Sequence, residues 1–427
     1  MSFSVLGLGD ELLKTLVEQG YTQPTPIQIE AIPAVLSQRD VMAVAHTGTG
    51  KTAAFALPML QLLSGGLSPK PQSVRALVIT PTRELAAQVA SSVQTYSQQM
   101  NTRCGTAFGG VRIEPQIAQL QVGVDVLVAT PGRLLDLYQQ QALNFTQLEI
   151  LVLDEADRML ELGFIDDIRR IQSLLPKQRQ TLMFSATFSE QIKSLAKGML
   201  NNPLLIEVAA TTRSLDSIKQ LIHPVDKKRK SELLIHLLKQ HKWSQALVFS
   251  GTKHGADSLV IQLENAGISA VSIHANRTQH ARTHALDDFK NGDVNVLVAT
   301  DIAARGIDIN QLPCVFNFDL PYVAEDYVHR IGRTGRAGSS GLAISFFSED
   351  ETKQLLAIER LIGHKFTHES IPGFAPSTNT KTSAAPKLSP SKKPVAPADD
   401  DEYGNFEPDP KSQYKGQSQK PRGRRSR

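Results

Sequence analysis

Cysteine is scarce: Cys104 and Cys314 are the only two in 427 residues, far apart and without a CxxC neighbour. That excludes a disulfide framework and a cysteine-built zinc site. The sequence also lacks any run of about 18 apolar residues, the length a membrane-spanning helix needs, so no membrane partner is expected. Its first residues, Met1-Ser2-Phe3-Ser4-Val5, lack the basic region, apolar stretch and cleavage site of a signal peptide, and a cytoplasmic protein is expected. Net charge is small too, +4 by formal count, and unevenly held. Residues 374–427 carry eleven Lys or Arg against six Asp or Glu, which makes that stretch +5 and leaves the rest at −1. A body so close to neutral cannot attract nucleic acid by overall charge, so binding there needs aimed groups.

What is present is a globular composition, 41% hydrophobic and 21% charged. The chain is too long for one ordinary core, and two domains with an appendage are expected. Short aliphatic runs, each closed by polar or small residues and followed by a helix-compatible segment, recur at 40–45, 75–80, 125–130, 150–154 and 181–185, then at 246–250, 294–300, 314–318 and 343–347. Strands alternating with helices make parallel α/β sheets, and ligands of such sheets sit at the carboxyl ends of the strands. Val126–Thr130 recurs letter for letter as Val296–Thr300, and each copy leads into an Arg-bearing turn (Arg133, Arg305), as two related domains would. The expected division is a first domain at 1–208, a linker at 209–217 where the rhythm stops, a second domain at 218–373, and a tail at 374–427. Pro, Ser, Lys, Gly and Gln dominate that tail, which is expected to be disordered.

Ala45-His46-Thr47-Gly48-Thr49-Gly50-Lys51-Thr52 follows one of these runs and opens a helix-compatible segment. This is the P-loop pattern, with Ala45 where its first glycine usually stands. Glycine lets successive N–H groups wrap phosphate oxygens, and the helix N-terminus adds its positive end. Lys51 is expected to reach the β- and γ-phosphates of a nucleoside triphosphate, and the Thr52 hydroxyl to hold Mg²⁺. Asp154-Glu155-Ala156-Asp157 comes straight after Ile150–Leu153, so its carboxylates emerge at a strand end. Asp154 is the expected second anchor for Mg²⁺, through water, and Glu155 is expected to orient or deprotonate the attacking water. Acidic residues at this place are otherwise a solvated helix N-terminus; a P-loop upstream argues for the metal.

Together these stretches resemble the DEAD-box RNA helicases of superfamily 2, and further segments match that family's series in order from Phe3 to about Gly373. The resemblance implies an α/β fold of two tandem RecA-like parallel-sheet domains followed by a disordered C-terminal tail. Gly20 to Gln28 is similar to the Q motif: Gln28 would pair with the adenine edge, Tyr21 would stack on its face, and Thr25 and the upstream Phe3 belong to the same site. A side-chain amide can donate to one ring nitrogen and accept from the exocyclic amine, which selects adenine and so ATP. Pro81-Thr82-Arg83-Glu84, Gly110 and Thr130-Pro131-Gly132-Arg133 resemble elements that grip the RNA backbone, as do Gln279, Arg282 and Thr300 in the second half. Ser185 and Thr187, with Asp157 and His329, are similar to residues linking ATP state to strand separation. Gly306 and Asp308 would meet the nucleotide. In His329-Arg330-Ile331-Gly332-Arg333-Thr334-Gly335-Arg336, the resemblance makes Arg333 and Arg336 arginine fingers for the ATP held by the other domain.

The branch with the nearest pattern is the bacterial RhlE type, from which Gly251 and Ala275 depart, at positions where Arg and Gly are usual. ATP and Mg²⁺ are the implied cofactors. RNA is the implied partner, largely independent of sequence, in ribosomal-precursor or RNA-decay complexes, with the chain a monomer. Two other classes share part of the pattern. A DNA-translocating helicase would have the same P-loop and fingers, and an RNA-binding scaffold would lack a catalytic residue, whereas Lys51, Asp154, Glu155, Arg333 and Arg336 are all present.

Overall fold

The computed structural model describes residues 2–45, 48–208, 218–304, 307, 309, 311–335 and 341–377. Two parallel sheets carry the fold. The first contains β1 (Val41–Val44), β2 (Val74–Ile79), β3 (Cys104–Ala107), β4 (Val124–Ala129), β5 (Ile150–Leu153), β6 (Gln180–Ser185) and β7 (Leu204–Glu207), in the order β3-β4-β2-β5-β6-β1-β7. The second contains β8 (Ile218–Pro224), β9 (Ala246–Phe249), β10 (Ala270–Ile273), β11 (Val296–Ala299), β12 (Cys314–Asn317) and β13 (Gly341–Phe347), in the order β10-β11-β9-β12-β13-β8. All their pairings are parallel.

The aliphatic runs in the sequence are the interior strands of both sheets. β2, β4 and β6 are buried at every residue, as strands covered by helices on both faces must be. β3, β7, β8 and β10, which no aliphatic run announced, are the four edges. An edge strand keeps one side in water and has no need of a continuous apolar run; β8 carries Lys219, Gln220 and His223 among its seven residues.

Several polar side chains buried beside the sheets bond backbone groups and one another. Asp40 accepts from Thr181 N and Asn201 N, each at 2.7 Å, and so ties β1 to β6 and to the turn before β7. Arg75, 4% exposed on β2, meets Asp125 at 3.2 Å, Glu149 at 2.8 Å and the Leu63 carbonyl at 2.9 Å.

The second sheet ends differently from the sequence expectation. Residues 374–377, placed in the tail, are seated on the domain. The Phe374 ring lies under the Arg229 guanidinium at 4.7 Å and beside His236 at 5.3 Å, Arg229 donates to the Gly373 carbonyl at 2.7 Å, and Ser377 bonds Asp226. Phe374 packs against the core because its ring has both an apolar floor and a cation to cover it. The linker 209–217 and the tail from Thr378 onward lie outside the described residues.

Candidate active site and nucleic-acid interface

The order of the first sheet places β5, β6 and β1 side by side, so their carboxyl ends bring the acidic cluster, Ser185 and the P-loop together. Strands are about 4.8 Å apart, which puts the β1 and β5 ends about 10 Å from each other, the width of a phosphate with its metal. Ala45 N donates to Ser185 O at 2.9 Å, fixing the start of the loop. Gly48 (φ +80°) and Gly50 (φ +88°) take the left-handed conformation open to glycine, and the helix Lys51–Leu63 begins at once. Lys51 is 7% exposed and its Nζ reaches back to the Ala45 carbonyl at 2.9 Å, spanning the loop that phosphate would fill. Thr52 stands half-buried in the first turn. His46 and Thr47 lie outside the described residues.

Gln28 is 2% exposed and joins the Q-motif segment to the P-loop: its Oε1 accepts from Thr25 N at 2.9 Å and its Nε2 donates to Gly50 O at 3.1 Å. One N–H and one lone pair of the amide remain for a base. A Cβ on Gly50 would stand 2.4 Å from that Nε2, so a side chain there would displace the Gln28 amide besides straining the backbone at φ +88°. Thr25 Oγ1 is buried beside them without a partner. Tyr21, 37% exposed, is held edge-on by Phe3 and Tyr96 and bonds the Tyr96 hydroxyl at 2.9 Å. Phe3 is 4% exposed and supports Tyr21 from beneath, leaving Tyr21 as the ring open to solvent.

Asp154 is 3% exposed, and burial pushes its carboxyl up to about 7, against the pull of Lys51 and with the push of Glu155 and Asp157. A carboxylate so placed gains most from a cation. Asp157 faces the other way: its Oδ2 accepts from both Ala186 N and Thr187 N at 2.9 Å and so ties the acidic cluster to the Ser185–Thr187 turn.

The second sheet faces this cluster through the helix Ala324–Ile331. Burial lowers the His329 imidazole from its usual value, opposed by the fields of Asp157 and Glu155 from the first sheet. Arg333 is 8% exposed and donates to the Ile307 carbonyl at 2.6 Å, so in this structure the guanidinium is held by its own domain. Arg305, Gly306, Asp308 and Arg336 lie outside the described residues. Arg330, which no motif argument had singled out, is 2% exposed and bound to Asp301 through both carboxylate oxygens.

The residues expected on RNA divide into two sets. Pro81 follows β2, Thr82 caps the helix Arg83–Tyr96 by accepting from Leu85 N at 3.3 Å, and Thr130 precedes the helix Pro131–Gln139. Gly132 has open space where a side chain would stand, and Thr300 follows β11 directly. All of these present backbone or hydroxyl groups at strand ends, as phosphate contacts require. The other set is engaged within the protein. Glu84 Oε1 accepts from Gln279 Nε2 and pairs with Arg282 Nη2, both at 2.9 Å, while Arg83 Nη1 contacts Gln279 Oε1 at 3.5 Å.

In this structure Glu84 is thus a tie between the two domains. Gly110 (φ +81°) leaves room for Arg83, whose Nη1 would be 1.9 Å from a Cβ there. Arg133 folds back onto Gln116 Oε1 and the Val111 carbonyl, each at 3.0 Å, and so braces the loop after β3. Between these two sides lies a cleft of about 770 Å³ lined by Phe108, Gly110 and Arg112 on one wall and Thr278, Gln279 and His280 on the other.

Residues 25–195 match the family model described as DEAD/DEAH box helicase, and residues 229–338 match the helicase conserved C-terminal domain. Among curated relatives, the DEAD-box ATP-dependent RNA helicase RhpA of Helicobacter pylori is 40% identical over 91% of this chain and 78% of its own length. The helicase CshA of Geobacillus kaustophilus is 42% identical over 85% of this chain and 77% of its own. The solved structure of S. cerevisiae Dbp5 bound to RNA and ADP BeF3 superposes with a TM-score of 0.77 at 34% identity, covering 86% of this chain and 95% of that one. With both domain models matched in chain order and relatives at this identity over most of their own length, the chain belongs to the DEAD-box ATP-dependent RNA helicases.

Proposed function

We propose that this ATP-hydrolysing RNA helicase opens short duplexes locally and without processive travel. The observation that carries the reading is the meeting of the β5, β6 and β1 ends with the helix bearing His329 from the other sheet. Neither sheet holds the whole site. ATP in the P-loop, with its adenine at Tyr21 and Gln28, and RNA across both domains would favour closure. Closure brings Arg333 and Arg336 to the phosphoryl group, where their charge counts most in the transition state. Glu155 would hold the attacking water, and Asp157 would pass the change to the Ser185–Thr187 turn. A bent single strand fits this path better than a duplex, and hydrolysis releases the grip.

The donor set suits Mg²⁺: the Thr52 hydroxyl and the buried Asp154 carboxylate are hard oxygen ligands, and burial leaves Asp154 in want of a cation. Among the described residues no cluster of three or more His, Cys, Asp or Glu could hold a metal unaided, so the ion would share the phosphates and water. When bound it would neutralise charge developing on the phosphate oxygens.

The functional units are read as domains at 1–208 and 218–377 joined by 209–217, acting as a monomer in the cytoplasm. Backbone-directed contacts imply low sequence preference. One curated relative at 40% identity is an ATP-dependent rRNA helicase, which favours a ribosomal precursor as substrate, with RNA-decay complexes the second setting. ATPase assays with single-stranded RNA and DNA of the same sequence test the reading: stimulation by RNA alone is expected, and equal stimulation by DNA would overturn it.

A further inference from the structure

Among the described residues, two Phe, Tyr or Trp rings stand exposed: Tyr21, 37% exposed at the adenine site, and Tyr322, 81% exposed. Tyr322 lies outside every motif on which the resemblance rests. It sits in the short connection between β12 and the helix Ala324–Ile331, and the chain is anchored on both sides of it. Upstream, Phe318 N and Asp319 N donate to the Phe249 carbonyl at 3.0 and 3.2 Å, and Asp319 Oδ2 accepts from Gly251 N at 2.8 Å. Leu320, 3% exposed, donates its N–H to Glu351 Oε1 at 2.9 Å. Pro321 is buried, with its φ fixed by its own ring. Downstream, Val323 is already the cap of the helix. Tyr322 is thus a ring held in solvent on a fixed base, and a ring with two χ angles costs little to order when something binds it.

Its place in the sheet says what that could be. The residues expected on RNA in this domain follow β10 (Gln279, Arg282) and β11 (Thr300), and the sheet continues in the order β10-β11-β9-β12. All four strands are parallel, so the loops after them open on one side. Neighbouring strands are about 4.8 Å apart, which sets the end of β12 about 10 Å beyond that of β11, within reach of a few nucleotides. Between them, after β9, stands Gly251. A Cβ there would meet only Asp319, at 3.4 Å or more, so neither the backbone nor the packing demands glycine. Its effect is to leave the way from Thr300 to Tyr322 clear of a side chain. Val323, 52% exposed, widens the apolar surface beside the ring.

We propose that Tyr322 is a base-stacking platform for single-stranded RNA at the β12 end of the second domain. The other RNA contacts expected of this domain meet phosphate and sugar; this one meets the face of a base. Every base has such a face, so the contact tolerates any sequence. A base inside a duplex has its faces covered by its neighbours, so the platform favours an opened strand. The proposal rests on the reading of the Thr300 turn as an RNA contact.

The test is an ATPase titration of the full-length chain with oligouridylates lengthened one nucleotide at a time, comparing wild type with Tyr322→Ala, Tyr322→Phe and Thr300→Ala, each checked by thermal melting. In wild type, the half-saturating RNA concentration is expected to fall by about tenfold at the length that first reaches the ring. Tyr322→Ala should lack that step and match wild type on shorter RNA, and Tyr322→Phe should retain it. An abasic nucleotide at the position that completes the step should abolish it in wild type. A step that survives the abasic nucleotide would make the contact one to phosphate, and a Tyr322→Ala chain that matches wild type at every length would leave the ring to a protein partner; either overturns the proposal. Thr300→Ala should raise the half-saturating concentration at every length. Wild-type behaviour in Thr300→Ala would defeat the reading of that turn, whereas a weakened Thr300→Ala beside an unaltered Tyr322→Ala would defeat the platform alone.

Discussion

Glu155 holds φ +54° and ψ +53°, a left-handed backbone that costs a non-glycine residue about 1 kcal/mol or more. It occurs at the junction of β5 and its helix, where the chain must turn sharply to aim consecutive carboxylates in different directions. Strain at such a place accords with a residue fixed for chemistry. Replacing Glu155 with Gln should leave the melting temperature close to wild type and lower kcat by about 10²- to 10⁴-fold, the usual contribution of a positioned base; undiminished steady-state turnover would remove Glu155 from the mechanism. Arg333→Ala should cost on the order of a thousandfold in RNA-stimulated turnover, while affinity for a fluorescent ATP analogue changes far less. His329 gives a pH signature. Burial lowers its folded-state value below the ordinary 6.5, so in that window the unfolded chain binds the extra proton and stability rises with pH. Melting temperature should therefore drop as pH is taken down through 6.5, with a shallower drop in His329→Gln; parallel curves for the two proteins would exclude the residue as the source.

At the scale of elements, the interior strands were legible because burial on both faces demands continuous aliphatic runs, and the edges were not because nothing demands them there. The loops divide in the same way. Gly50 was readable as a P-loop glycine, but its bond with Gln28, 22 residues earlier in the chain, exists only after folding. Gly50→Ala should strain the backbone at φ +88° and displace the Gln28 amide, so that ATP binding weakens and the preference for ATP over GTP narrows together. Gln28→Ala should narrow the preference with a smaller loss of affinity. Isothermal titration of both variants with both nucleotides checks this; unchanged ATP affinity in Gly50→Ala would show the close approach to be dispensable. For Arg83, Glu84, Gln279 and Arg282, residue type and motif position suggested RNA; their bonds to one another were visible only in the fold.

For the whole molecule, the unit that carries both sheets includes the chain as far as Ser377. A chain ending at Gly373 would lose the Phe374 ring from its place between Arg229 and His236, and the Ser377 bonds to Asp226. It should melt lower than one ending at Ser377, by differential scanning fluorimetry, and equal melting temperatures would show that the 374–377 segment contributes nothing. Beyond that point the sequence concentrates five cations in Lys420–Arg427, downstream of Asp399-Asp400-Asp401-Glu402. A chain ending at Ser377 should keep the ATPase maximum yet need more RNA to reach it. The dependence of RNA affinity on salt should flatten by roughly 0.7 in log–log slope for each phosphate that the shortened chain no longer neutralises. Coincident salt series for the two chains would leave the basic segment without a role in binding.

The sequence by itself determined the chemistry of each strand end and the parallel architecture around it. Phosphate loops, acidic pairs and buried strands impose local requirements on residue type, and local requirements survive in one dimension. Tertiary structure alone decided which acceptors each of the many arginines meets within the protein. Arg133 braces a loop, Arg75 anchors three segments around the first sheet, Arg330 gathers three strand ends and Arg282 ties two domains, although all are the same residue. A guanidinium's role is set by which acceptors come within about 3 Å of it, and for these residues most of those acceptors lie many positions away in sequence.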